Sequence, residues 1–155
     1  MELGMNRRPP RIAIAGSSTL PAQAALPAFN FLLTAVYNPV LLLRRGISTP
    51  PGRVEFVLAL QAKLMDWKVE WYVPQPGGRD RVFYRDIDMV AKADVVLCVF
   101  PRNAPMEGGT SHVVEKAQDR GVPVYAYTFD PINGHWERLG EWDPHDSWAH
   151  KVPVG

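Results

Sequence analysis

The amino-acid sequence predicts an α/β domain in which helices cover both faces of a parallel sheet of about five strands. The first observation is alternation: short apolar runs of strand length take turns with segments of helical length throughout residues 11–127. The second is one clear β-α-β unit. Its first strand, residues 93–100, leads through Gly108-Gly109-Thr110 into a helix, and an apolar strand follows at residues 122–127.

Each element has its own signal in the sequence. Strands are expected where apolar residues run together, at residues 11–15, 39–43, 69–73, 93–100 and 122–127. Helices are expected over residues 21–37, 52–65 and 110–120, and a shorter one is expected before the fourth strand, where Phe83, Ile87 and Val90 recur at helical spacing. Pro27 has to lie near the start of the first helix or kink it, and Gly121 is the expected stop of the last helix.

The regular pattern ends after Tyr127. Residues 128–155 contain Pro131 and three tryptophans at positions 136, 142 and 148. The dipeptide Asn133-Gly134 is a candidate hairpin turn. We therefore expect one domain over residues 11–127 and an irregular aromatic C-terminal tail over residues 128–155 that packs on it.

Length and charge disfavour several classes of protein. A chain of 155 residues suits one domain with one substantial core, and contents of 46% hydrophobic and 21% charged residues are ordinary for a globular protein. The formal net charge of +1 provides no field that would attract nucleic acid or an anionic membrane. We therefore expect no membrane partner, and nucleic acid is disfavoured as a partner.

The single cysteine and the apolar segments bear on location. Cys98 lies inside an apolar strand, so a buried and inert thiol is expected, without a disulfide framework or a cysteine zinc cluster. The longest apolar region, residues 22–43, is interrupted by Pro27, Asn30 and Asn38, which favours a helix and a strand over a membrane span. Residues 1–10 lack the apolar core of a signal peptide, so the cytoplasm is the default expectation.

The loops that follow the strands are the expected binding edge, because ligands of open parallel sheets lie at the carboxyl ends of the strands. Glycines there allow close backbone approach, hydroxyls donate hydrogen bonds, and arginines neutralise phosphate. Residues of these kinds in the expected loops are Gly16, Ser17, Ser18, Arg44, Arg45, Gly46, Arg102, Gly108, Gly109 and Thr110. Where Gly108-Gly109-Thr110 opens a helix, free N–H groups and the helix dipole favour an anion. The alternative is that these residues are only turn glycines, helix caps and surface arginines.

Two common nucleotide-binding motifs are missing from the sequence. No G-x-G-x-x-G fingerprint follows the first strand, and no G-K-[ST] phosphate loop occurs. Dinucleotide oxidoreductases and P-loop NTPases are therefore poor matches.

Spaced motifs in the second half of the chain resemble the SLOG superfamily. They are Arg85-Asp86-x-x-Met89, Ala93-Asp94 before an apolar strand, Gly109-Thr110, Ala117, and Gly121-Val122-Pro123-Val124. This superfamily contains small Rossmann-like bacterial proteins related to the DNA-processing protein DprA, to LOG phosphoribohydrolases and, more distantly, to nucleoside 2-deoxyribosyltransferases. The resemblance covers residues 11–127. It implies a Rossmann-like three-layer domain that holds a nucleotide or nucleoside derivative between the loop after the first strand and the Gly-Gly-Thr loop.

The resemblance leaves the reaction open, because SLOG proteins include nucleotide sensors as well as enzymes that cleave or exchange an N-glycosidic bond. Those enzymes use a carboxylate beside the sugar. The candidates here are Glu107, directly before the glycines, Glu115, which helical geometry turns towards solvent, and Asp88, at the approximate place of the transferases' aspartate. Arg85 and Asp86 are candidate ligand contacts, and Asp86 could accept hydrogen bonds from ribose hydroxyls or a base amine. The plainer alternative for each is a solvated surface residue.

The histidines are weaker signals. In the first turn of the last helix, His112 could donate to phosphate or transfer a proton near neutral pH, or it could be only a helix-surface residue. In the tail, His145 and His150 are five residues apart and fit one helical face poorly. We expect neither a metal site nor a cofactor.

Three functions follow from these signals. The leading one is a protein that binds or senses a nucleotide or nucleoside derivative at the Gly-Gly-Thr edge. The second is an N-glycosidase or a nucleoside 2-deoxyribosyltransferase-like enzyme that uses Glu107 or Glu115, with Asp86 or Asp88 positioning the sugar. The third is an interaction protein whose tail mediates homo-oligomerisation and whose glycine loop is only structural.

Overall fold

A computed structural model describes residues 8–77, 80–102 and 109–142. The strands in these ranges are β1 (Arg11–Gly16), β2 (Val40–Arg44), β3 (Lys68–Tyr72), β4 (Val95–Pro101), β5 (Val124–Phe129) and β6 (Trp136–Trp142). The helices are α1 (Leu26–Ala35), α2 (Arg53–Met65), α3 (Arg81–Ala91) and α4 (Gly109–Asp119), and a short 3-10 helix (Ala22–Ala25) precedes α1. The expected alternation of strands and helices is therefore confirmed in this part of the chain.

The strands form one sheet in the order β3-β2-β1-β4-β5-β6. The first five strands run parallel to their neighbours, with Ile14 beside Leu97 at the centre of the sheet, and β6 runs antiparallel to β5. Because of β6 the sheet is mixed, with six strands rather than the five of the predicted parallel sheet. From β1 the chain adds β2 and β3 on one side of the sheet and then crosses over to add β4 and β5 on the other side. This change of side leaves a crevice at the carboxyl ends of β1 and β4.

The segment after Tyr127 differs from the irregular tail expected there. Residues 136–142 form β6, which pairs Phe129 with Trp136 and closes a hairpin through the expected turn at Asn133-Gly134. In the turn, the Asp130 carboxylate accepts the Ile132 N–H at 2.9 Å, and Gly134 takes a left-handed φ of 73°. β6 was not predicted because it is an edge strand that mixes charged and aromatic residues and therefore contains no continuous apolar run. Residues 143–155 lie outside the described residues.

Alternating side chains of the sheet build a core on each face. On one face, Ile12 and Ile14 pack with buried residues of α1 and α2, and on the other, Ala13 and Ala15 pack with buried residues of α3 and α4. The result is a three-layer arrangement with helices on both faces of the sheet. Cys98 belongs to the second core, and burial raises the pKa of its thiol to about 12 even though the nearby Arg44 lowers it, which fits the expected inert thiol.

Proline marks the start of one helix and glycine the end of another, as the sequence predicts. Pro27 lies at the start of α1, where its missing N–H costs no helical hydrogen bond. Gly121 follows α4 with a left-handed φ of 70°, a conformation that suits glycine best. In the described part of the chain, none of the helices has the length and apolar character that a membrane crossing requires.

Gly16 ends β1 where α2 packs against the strand. A Cβ atom at this position would lie 2.6 Å from Cβ of Val54, too close for a real contact. We predict that Gly16→Ala lowers the free energy of unfolding by about 1–3 kcal/mol, the usual cost of overpacking a core. Chemical denaturation measures the loss. In a Val54→Ala background the same substitution should cost clearly less, and an equal loss in both backgrounds would contradict the steric explanation.

Candidate functional site

A cleft of about 280 Å³ lies at the carboxyl ends of β1 and β2, beside the amino-terminal ends of α2 and α4. Six residues predicted as ligand contacts line it together: Gly16, Ser18, Gly46, Arg85, Gly109 and Thr110. Arg44 and Arg45, which the sequence offered as arginines that neutralise phosphate, also line it, and the remaining lining residues are Pro50, Gly52 and Glu55. The cleft therefore occupies the edge of the sheet where the sequence predicts ligand binding.

Two helices direct their positive ends towards the cleft. Gly52, immediately before α2, and Gly109, the first residue of α4, both line it. The first N–H groups of a helix have no acceptor within that helix, and the dipole adds about half a positive charge at this end. A phosphate or carboxylate in the cleft would be stabilised by both helices.

Arg44 places a buried cation between these helix ends. The residue is only 8% exposed, and Nη2 donates to Oε2 of Glu55 at 3.1 Å and to the Gly16 carbonyl at 3.4 Å. Nη1 lies 3.8 Å from Oδ2 of Asp86. Burial would lower the pKa of Arg44, but the carboxylates of Glu55 and Asp86 outweigh it and raise the pKa above its ordinary value. The guanidinium therefore stays charged beside the cleft.

Asp86 is the buried anion that holds the cations of the cleft in place. It is 1% exposed, its Oδ1 accepts a hydrogen bond from Nε of Arg85 at 3.0 Å, and its Oδ2 lies 3.5 Å from Nδ1 of His112. Asp86 does not line the cleft. Its place among these partners indicates that it orients Arg44 and Arg85, whereas the sequence also allowed a direct ligand contact.

Two more arginines bring positive charge to the cleft wall. Arg85 donates from Nη1 to the Arg45 carbonyl at 3.2 Å, which links α3 to the end of β2. Arg45 is exposed, and its guanidinium lies 5.9 Å from the centre of the Trp71 ring. Arg44, Arg45 and Arg85 thus present three cations at one opening.

Among the described residues, Glu55 in the first turn of α2 is the one carboxylate residue that lines this cleft. It is 2% exposed, and Arg44 occupies Oε2, while Oε1 is buried with no hydrogen-bond partner among the residues that the structure describes. A buried acceptor without a donor costs about 1–3 kcal/mol. Glu55 is not among the residues predicted from the sequence. Its helical spacing to Leu58 and Ala62, three and seven positions later, could have predicted its burial, because both of these residues are buried on the same helix face.

A second cavity of about 510 Å³ adjoins the cleft and shares Gly46 and Arg85 with it. Its other walls include the apolar side chains of Ile47, Pro74 and Val82. Ligand sites commonly combine a mainly apolar cavity with a few polar groups that fix orientation. The two cavities together can therefore take a molecule with an anionic end and a larger, less polar end.

A larger cavity lies elsewhere. It measures about 740 Å³ and is lined by residues at the amino ends of the strands, among them Pro10, Tyr37, Asn38 and Asp94. Asp94 there accepts the Arg11 N–H at 2.8 Å, so it ties β1 to the start of β4. We place the candidate site at the smaller cleft because the buried Arg44 cation, two further arginines and two helix ends converge there.

Several predicted site residues lie away from the cleft. Asp88 and Glu115 are exposed and do not line it, and solvent exposure of Glu115 confirms the orientation expected from helical geometry. Ser17 uses its N–H to donate to the Val99 carbonyl at 3.1 Å. Arg102 lies 3.6 Å from a carboxylate oxygen of Glu137 on β6.

His112 does not line the cleft but lies against Asp86, the carboxylate that pairs with Arg44 and Arg85. Its ring centre lies 4.4 Å from that of Phe83, and Nδ1 lies 3.5 Å from the Asp86 carboxylate. Glu107 and Gly108 lie outside the described residues, as do His145 and His150. Within the described ranges no group of three or more histidine, cysteine or acidic residues is arranged to hold a metal ion.

Comparisons with known proteins add no family to this picture. No family model matches the sequence, and a search of curated proteins finds no match.

Proposed function

We propose that the protein binds a nucleotide or nucleoside derivative, with its phosphate in the cleft and its nucleoside part in the adjoining cavity. The protein acts as a binding or sensing module. The observation that carries this proposal is the buried Arg44 guanidinium at the meeting point of two helix amino-terminal ends.

The charge around the cleft supports an anionic ligand. Arg44, Arg45 and Arg85 contribute three positive charges at the opening, against two carboxylates among the described residues: Glu55, which lines the cleft, and Asp86, which pairs with Arg44 and Arg85. These residues therefore leave one net positive charge. The arginine fork suits the oxygens of a phosphate, and charge-assisted hydrogen bonds are stronger than neutral ones. Gly109 leaves room for the ligand to reach the backbone, since a Cβ atom there would meet only Nη1 of Arg44, at 3.5 Å.

The adjoining cavity supports a ligand larger than an inorganic anion. Its apolar wall of Ile47, Pro74 and Val82 suits the face of a base, and Arg85 borders both cavities. A phosphate held by the arginines can therefore be covalently joined to a group that lies over this wall.

The strand order supports a finer description of the fold. The order β3-β2-β1-β4-β5-β6 is the one found in Rossmann-type dinucleotide-binding folds, where ligands bind at the same reversal point, although β6 here is antiparallel. We propose a Rossmann-like domain and, on the motifs from Arg85 to Val124, a place in the SLOG superfamily.

An N-glycosidic enzyme is the second candidate. Glu107, one of its proposed carboxylates, lies outside the described residues, and the placement of the other two, Asp88 and Glu115, does not favour catalysis by them. Asp88 and Glu115 are exposed and lie outside the set of residues that line the cleft. A carboxylate can attack or protonate a sugar only within hydrogen-bonding reach of it. Binding without turnover therefore fits these residues better.

The experiment is a binding titration against a panel of nucleoside monophosphates at low ionic strength, with the free nucleosides as controls. Calorimetry gives the affinity, and chromatography detects any released base. We expect the phosphates to bind and the nucleosides to bind much more weakly. Arg45→Met should weaken phosphate binding by about 10-fold or more, because it removes a charge-assisted contact.

Arg120→Met is the matched control, since Arg120 is also an exposed arginine and lies just beyond the far end of α4. It should leave the affinity unchanged. If no nucleoside monophosphate binds, or if Arg45→Met and Arg120→Met bind as tightly as the wild-type protein, the proposal is wrong. Base release by the wild-type protein would support the enzyme instead.

A further inference from the structure

The unpartnered carboxylate oxygen of Glu55 belongs to a residue that lines the same cleft. Glu55 lines the cleft and is 2% exposed, and its Oε1 has no donor among the described residues. Gly52 also lines the cleft, and a Cβ atom at Gly52 would lie only 3.1 Å from Oε1. This places the free oxygen beside Gly52 at the edge of the cleft, next to the amino-terminal end of α2.

This oxygen has a specific chemical requirement. An ionised carboxylate can only accept hydrogen bonds, and an ionised phosphate oxygen can only accept them too. The two groups repel each other in a low-dielectric cleft. Whatever satisfies Oε1 has to bring a hydrogen-bond donor.

A metal ion is a poor solution to this requirement. Arg44 already pairs with the other carboxylate oxygen at 3.1 Å, and Arg45 and Arg85 line the same cleft. A divalent cation beside Glu55 would be repelled by all three guanidinium groups. A neutral hydroxyl meets no such repulsion.

From this geometry we infer that Glu55 is a specificity-determining residue that accepts a hydrogen bond from a sugar hydroxyl close to the phosphate of the ligand. This inference rests on the proposed function and narrows it. The site takes phosphate esters of polyhydroxylated sugars and discriminates against phosphate esters without a hydroxyl. Glu55 acts by binding, and no covalent step is assigned to it.

Two small probes test the inference without knowledge of the base. Methyl phosphate offers a phosphate and no hydroxyl, and ribose 5-phosphate offers a phosphate with several hydroxyls. The wild-type protein should bind ribose 5-phosphate about 10-fold or more tightly than methyl phosphate, because a hydrogen bond to a charged group contributes at least that factor. Both dissociation constants come from calorimetry on the full chain.

The Glu55→Gln variant keeps the shape of the side chain and can still accept from Arg44, but it replaces the charged acceptor with a neutral amide, which forms a weaker hydrogen bond with a hydroxyl. The measured quantity is the ratio of the two affinities, and Glu55→Gln should lose most of the wild-type preference for ribose 5-phosphate over methyl phosphate. If Glu55→Gln does not fold, Glu55→Asp serves the same purpose. It keeps the negative charge and withdraws the acceptor by about one methylene length, about 1.5 Å.

The outcomes separate this inference from the proposed function. Equal binding of the two probes by the wild-type protein overturns the role of Glu55 and leaves phosphate binding intact. An unchanged preference in Glu55→Gln or Glu55→Asp also overturns it. If the wild-type protein binds neither probe, the proposed function fails and the inference fails with it.

Discussion

Replacement of Asp86 by alanine should lower the free energy of unfolding by about 3–5 kcal/mol, the cost of leaving a buried ion-pair network without one partner. Asp86 is 1% exposed and faces the guanidinium groups of Arg44 and Arg85. Without its carboxylate, the buried Arg44 keeps Glu55 as its one anionic partner in the part of the chain that the structure describes. Urea denaturation followed by circular dichroism measures the loss.

Asp88→Ala is the matched control, because Asp88 is an exposed aspartate on the same helix. Its effect should stay within about 0.5 kcal/mol, as for most surface substitutions. Asp86→Asn removes the charge at nearly constant shape and should fall between the two. A loss of similar size for Asp86→Ala and Asp88→Ala would show that Asp86 is not the anchor of the arginines.

Substitution of Arg44 by methionine should have the largest effect on binding. The change removes the buried cation between the two helix ends, and we expect the affinity for a nucleoside monophosphate to fall by about 10- to 150-fold, the range for a lost hydrogen bond to a charged group. It should also destabilise the fold by about 3–5 kcal/mol, because Glu55 is left buried and unpaired.

A double substitution separates these two effects. In Arg44→Met with Glu55→Met, both members of the pair at 3.1 Å become apolar groups of similar length. Such replacements are often neutral or stabilising, so the fold should recover most of its stability. Binding should stay lost, because the cation is still missing. Recovery of binding together with stability would contradict a direct role of Arg44 in holding the ligand.

Much of the fold could be predicted because parallel strands are buried on both faces and therefore appear as continuous apolar runs. Residues 93–100 are such a run, and the strand found there, β4, sits in the middle of the sheet. In contrast, β6 pairs with one neighbour only, and its sequence includes Glu137 and Arg138. Edge strands can expose such residues to water, so no apolar run identifies them.

The position of the cleft could also be predicted, but its charge network could not. The carboxyl-end rule selects Gly16, Gly46 and Gly109 from their places after strands. The pairing of Arg44 with Glu55 and Asp86 depends on how α2 and α3 pack on opposite faces of the sheet. Distances in sequence of 11 and 42 residues contain no signal for this contact, and only the tertiary structure brings the three side chains together.

The most direct test of the proposed site is a titration of ¹⁵N-labelled protein with a nucleoside monophosphate, followed by the chemical shifts of the backbone amides. We predict that the largest shift changes occur at Gly16, Ser18, Gly46, Gly109 and Thr110, which line the cleft. Changes confined to residues 35–38, beside the larger cavity at the amino ends of the strands, would contradict this site. A spectrum that does not change at saturating ligand would contradict nucleotide binding altogether.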